Sequence, residues 1–155
     1  MSYDLKAVIA RRDLLDVVTR DLSAARVVDL PHGLALLPMT DALSDALTDA
    51  SRARHSAFWS LPAGFDEVLV DWSRTGSVAY VEAEYFGGVG EENAAVWRDG
   101  ELVRGPLHLV EGELTPTEGS PVCQALRALG VSAGEDDEFT AAGLDAHRNN
   151  DGWLS

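Results

Sequence analysis

The sequence predicts an α+β fold, a mainly antiparallel sheet with four to five helices packed against it, on three observations. Between Ser77 and Val110 the patterning changes from helical to alternating or continuous β-type over three successive runs. Asp99-Gly100 separates the last two runs, and a two-residue turn of this kind tolerates the positive φ angles that close a tight hairpin. Helical periods with recognisable ends stand on both sides of that region. At 155 residues with 46% hydrophobic content, residues 1–155 read as one domain able to bury a continuous core.

Taken in order, Tyr3 to Ala10 is rich enough in Val and Ile for a short strand. A helix follows from near Asp13, with Leu14, Leu15, Val18 and Leu22 on one face and Asp16, Arg20 and Asp21 on the other. Arg26 to Leu30 and Leu34 to Leu37 read as two strands, separated where Pro31-His32-Gly33 interrupts pairing. Thr40 is suited to cap a second helix, with Asp41 in its first turn and Leu43, Ala46, Leu47 and Ala50 as its apolar stripe. Ser51 to Leu61 is irregular; Arg52, Arg54 and His55 stand there beside Phe58 and Trp59, whose rings should anchor the connection to the core.

Beyond Pro62 and Gly64, the spacing of Phe65, Val68, Leu69 and Trp72 predicts a third helix ending before Gly76. The strands are expected at Val78 to Phe86, Asn93 to Arg98 and Glu101 to Val110, as a meander. Glu111 to Gly119 has the composition of an exposed loop. Ser120 and Pro121 then open a fourth helix with Val122, Ala125, Leu126 and Leu129 as its stripe and Gly130 at its end. The acidic run Glu135 to Glu138 leads a short last helix, Phe139 to His147, after which Trp153 and Leu154 are expected to fold back.

Twelve basic against 26 acidic residues give a net charge of −14, which repels nucleic acid and anionic lipid. Residues 1–30 hold five of each sign, so the whole excess belongs to residues 31–155. No run approaches the roughly 20 apolar residues of a membrane span, and Met1 to Ala10 lacks the pattern of a secretory signal, so a cytoplasmic protein is expected. The single Cys123, among Val122, Ala125 and Leu126, reads as a small core residue.

Chemistry concentrates in the segment Tyr80 to Gly90. In a strand, Glu82 and Glu84 project to one face about 7 Å apart, close enough to share a cation or divide acid and base roles. The plainer reading is a wet strand face, because no His or further acid completes a metal set. Gly87-Gly88-Val89-Gly90 departs from a nucleotide fingerprint and is followed by Glu91-Glu92, which would oppose a phosphate; a tight connection or bulge accounts for it better. His32, His55, His108 and His147 are scattered singly, and Ser120 lacks the frame of a nucleophile elbow. No catalytic residue, metal set or cofactor is therefore assigned.

The stretch Ala79 to Trp97, with Tyr85-Phe86-Gly87-Gly88-Val89-Gly90 at its centre and Asp99-Gly100 after it, resembles a group of small uncharacterised bacterial proteins, some of which look like toxin-immunity partners. The likeness extends through Ser120-Pro121 to Asp151-Gly152-Trp153-Leu154. It implies an acidic surface that binds a basic effector and carries over no catalytic residues. The leading expectation is thus a non-enzymatic protein-binding module, of the immunity type, with Glu82, Glu84, Glu91 and Glu92 as contacts to a basic partner. The alternative is a small enzyme or ligand-binding protein with a pocket near Glu82, Glu84 and the Gly87–Gly90 turn, where that turn meets Trp97 and His108. Self-association through a strand edge or an apolar face is the third reading.

Overall fold

The computed structural model describes residues 2–52, 58–86, 89–110, 113–132 and 137–154. Arg54, His55, Gly87, Gly88, Glu111 and Glu135, which entered the sequence reading, lie outside these residues. The elements run β1 (Ser2–Arg11), α1 (Arg12–Val18), β2 (Val28–Asp29), β3 (Leu34–Pro38), α2 (Asp41–Leu47), α3 (Phe65–Trp72), β4 (Val78–Phe86), β5 (Val89–Arg98), β6 (Glu101–Leu109), α4 (Pro121–Ala128) and α5 (Glu138–Ala141). The six strands form one antiparallel sheet in the order β2-β3-β1-β4-β5-β6, and the fold is α+β. No described helix is long and apolar enough to cross a membrane.

Alternation along the strands divides the core into two layers. Val8, Ala10, Ala35, Leu37, Val78, Tyr80, Ala95 and Trp97 pack with Leu14, Leu43, Phe65 and Leu69 of α1, α2 and α3. Leu5, Ala7, Ile9, Ala79, Val81, Ala94 and Val96 pack on the other face with Val122, Ala125 and Leu126 of α4, joined by Leu144 and Trp153. Helices on both faces explain why β3 and the first part of β4 are buried at every position. The edge strand β6 is exposed from Glu101 to Pro106, and Pro106 offers no N–H for a further strand to pair with.

Several boundaries differ from expectation for local reasons. Helix α1 stops at Val18, and Leu22 packs on the core from the turn that follows. Thr40 caps α2 by accepting the Leu43 N–H at 3.1 Å, but Ala46 faces solvent and Ala50 lies beyond the helix end, so the buried stripe shortens to Leu43 and Leu47. The last helix ends at Ala141 because Gly143 adopts a left-handed conformation, φ 78°; a 3-10 turn, Leu144–Ala146, follows. Asp99 and Gly100 both take positive φ, 53° and 79°, as the tight hairpin requires. Trp153 folds back and is buried, whereas Leu154 stays exposed.

The change that matters most for function is in β5. It begins at Val89 rather than Asn93, so Gly90, Glu91 and Glu92 belong to a paired strand instead of a turn or bulge. Opposite Gly90 stands Tyr85. A Cβ at Gly90 would lie 2.1 Å from the Glu84 carbonyl oxygen and 2.6 Å from Cδ1 of Tyr85, so the glycine makes room for the tyrosine ring to lie across the strand pair.

Candidate functional site

At the end of the sheet formed by the start of β1, the end of β4 and the start of β5, adjacent residues point to opposite faces. Tyr3, Tyr85 and Gly90 stand in register on one face, and Asp4, Glu84 and Glu91 on the other. One residue further in, Leu5, Ala83 and Glu92 align, and then Lys6, Glu82, Asn93 and His108. The chemistry of this end is therefore two-sided.

Glu82 is not a surface contact. Its side chain is 0% exposed, and its carboxylate accepts the Trp59 N–H at 2.8 Å, the Ser60 N–H at 2.7 Å, the Tyr80 hydroxyl at 2.9 Å and the Asn93 amide at 3.1 Å. The wet face expected here is covered at Glu82 because the segment at 58–60 crosses it, with Phe58 edge-on to Tyr80 at 5.2 Å. Asn93 continues the chain of contacts by turning its side-chain oxygen to Nδ1 of His108. Glu82 holds a loop on the sheet, a structural role that its place in the apolar run Ala79-Tyr80-Val81-Glu82-Ala83 already hinted at. Among the described residues, Glu82 and Trp97 are not brought together either. Trp97 is buried opposite Val78, about four residues or roughly 13 Å along β5 from Asn93, which faces His108.

Glu92 is also no surface contact, being 4% exposed. It points to the α4 face, where the Tyr85 hydroxyl and the Val122 N–H (2.9 Å) donate to it. The Ser120 hydroxyl, which also accepts the Cys123 N–H as the α4 cap, adds a further hydrogen bond. Burial pushes the carboxyl above its usual pKa of 4.5, against the lowering pull of Val122 and Ser120. The protonated form is thus the one favoured by folding. This contribution to stability is complete below the ordinary carboxylate range and is lost as the pH rises through the higher folded value. Urea denaturation from acid to neutral pH should show the native protein losing stability relative to Glu92→Gln; a constant difference would mean that folding leaves this carboxyl unperturbed.

Around Glu92 lies a cavity of about 480 Å³. Tyr3 and Tyr85 form an edge-to-face pair with centroids 6.5 Å apart, and Phe139 meets Tyr3 edge-on at 5.3 Å. The Tyr3 hydroxyl donates to the Leu144 carbonyl at 2.9 Å, and burial raises its pKa. Cys123 lines the cavity from α4, largely buried, with its thiol pushed up by that burial. Asp137 and Glu138 stand at the start of α5. Glu138 is buried and paired with Arg127 at 2.7 Å, while Asp137 is exposed and caps α5 by accepting the Thr140 N–H.

Of the four acids singled out in the sequence, only Glu84, exposed, and Glu91, half-buried, reach the surface. Asp4 joins them: the three carboxylates face one another across three strands, with Lys6 paired to Asp4. Phe86 projects from the same face and is 79% exposed. The pattern missed Asp4, Phe86, Tyr3 and Tyr85 because their neighbourhood depends on strand register, although the alternation of acidic with uncharged residues in Glu82-Ala83-Glu84-Tyr85 is its visible trace. Among the described residues no group of three or more His, Cys, Asp or Glu is placed to hold a metal ion.

Fold and site together define an α+β protein with an acidic, aromatic-tipped sheet face and a separate carboxyl-lined cavity. Comparison with protein-family models, with curated proteins and with solved structures found no match. None of these comparisons supports the likeness drawn from the sequence.

Proposed function

We propose that the protein is a non-enzymatic binding module for a basic protein, acting as an immunity-type inhibitor, and that its contact surface is the sheet face bearing Asp4, Glu84, Glu91 and Phe86. The observation that carries this reading is the exposed Phe86 ring beside a row of carboxylates in register. Like charges directly opposite on neighbouring strands, ~4.8 Å apart, destabilise a sheet in isolation. A cationic partner turns that cost into complementarity, and the net charge of −14 accelerates its encounter. Phe86 supplies the apolar contact area that charge pairs alone do not provide. Glu82 and Glu92, being buried, take no part.

Affinity capture from the native cell at low and moderate salt tests the proposal, with Phe86→Ala and the double charge reversal Glu84→Lys/Glu91→Lys as comparisons. The native protein should retain a basic protein, less at the higher salt, and each variant should weaken its retention by about tenfold or more, the scale of one interface hot spot. Recovery of no basic protein at either salt, or equal recovery by the variants, would overturn the assignment. Because these side chains lie at the surface, the variants should change stability by only about 0.5 kcal/mol.

A further inference from the structure

We propose that the cavity between the sheet and the α4–α5 pair is a binding site for a small organic cation, a primary ammonium carried on an apolar body. It lies on the sheet face opposite the partner surface and stands independently of that reading. Its volume, about 480 Å³, falls among small-molecule sites, which range over ~300–1,000 Å³.

The walls set the chemistry of the occupant. Tyr3, Tyr85 and Phe139 present three aromatic rings, which suit an apolar body and, through their faces, a positive charge. Glu92, Asp137 and Glu138 present three carboxyl groups. Arg127 answers the charge of Glu138, but among the described residues no Lys or Arg forms an ion pair with Glu92 or Asp137. The partners of Glu92 are all neutral donors: a phenol, a hydroxyl and a backbone N–H. The ionised form of Glu92, which a neighbouring cation favours, offers about four acceptor positions, so one remains for a further donor. An anion would be repelled here, and a neutral apolar molecule would leave that position unused. An ammonium group fills it and supplies the missing positive charge beside a carboxylate that is itself buried.

Isothermal titration with butylamine, phenethylamine and tryptamine tests the assignment, each paired with the alcohol of the same shape, with phenylpropionate as the anionic control. At least one amine should bind about tenfold or more tighter than its alcohol, the scale of a single charge-assisted hydrogen bond. Phenylpropionate should not bind. Glu92→Gln should abolish the preference for the amine while leaving the alcohol unaffected. Asp137→Asn, which retains the α5 cap, should weaken only the amine, by a few-fold; this exposed substitution decides the question if Glu92→Gln does not fold. Amines and alcohols binding alike, or no amine binding at millimolar concentration, would overturn the proposal.

Discussion

Replacing Glu82 by leucine should cost about 3–5 kcal/mol of stability, the scale of removing one partner from a buried charged network. The substitution keeps a side chain of similar length but takes the acceptor away from two backbone N–H groups, a tyrosine hydroxyl and an asparagine amide. Each hydrogen bond to a charged acceptor contributes about 1.5–3 kcal/mol, and donors left in a dry environment add their own penalty. For a domain of this size the loss corresponds to a drop of roughly 10–15 °C in melting temperature. Glu84→Leu, two residues along the same face, is the control: its side chain is exposed, and the change should remain within about 0.5 kcal/mol. Thermal and urea denaturation of the two variants make the comparison. Equal, small effects would mean that the segment at 58–60 is held on the sheet by its apolar contacts alone.

Gly90→Ala should destabilise the protein by about 1–3 kcal/mol, the range for forcing atoms into a filled space, and should disturb the cavity on the α4 face. The new methyl would lie 2.1 Å from the Glu84 carbonyl oxygen and 2.7 Å from Cα of Tyr85. Both are backbone atoms, so no rotamer change relieves the contact and β4 must move away from β5. Tyr85 would shift with it, carrying its hydroxyl away from Glu92. Urea denaturation gives the stability, and the aromatic proton resonances of Tyr85 report the ring. Unchanged resonances together with native stability would show that the strand pair accommodates the methyl group without moving the ring.

These two substitutions mark where the sequence is informative and where it is silent. The Asp99-Gly100 hairpin, the Thr40 and Ser120 caps and the burial of Cys123 were all legible, because each depends on residues within one turn or one helical period. The sequence offers Glu82 and Glu92 as contacts to a partner, yet both are buried. Alternation states which side chains share a face of a strand, but not which distant segment covers that face. Residues 58–60 cover Glu82, and the start of α4 covers Glu92. Glycine at 90 read as a turn because its own type permits one; only the presence of Tyr85 opposite gives it a place inside a strand.

Composition, period and local backbone preference are enough to give the α+β class, the strong negative charge, most of the helices and the Asp99-Gly100 turn. Which acids meet solvent depends instead on how distant segments pack over them. Taking a carboxylate out of water is costly unless donors meet it, and the donors for Glu82 and Glu92 come from segments about 20 to 30 residues away in the chain as well as from neighbouring strands. Among the described residues Glu84 meets no such segment and, with Asp4 and Glu91, is left at the surface.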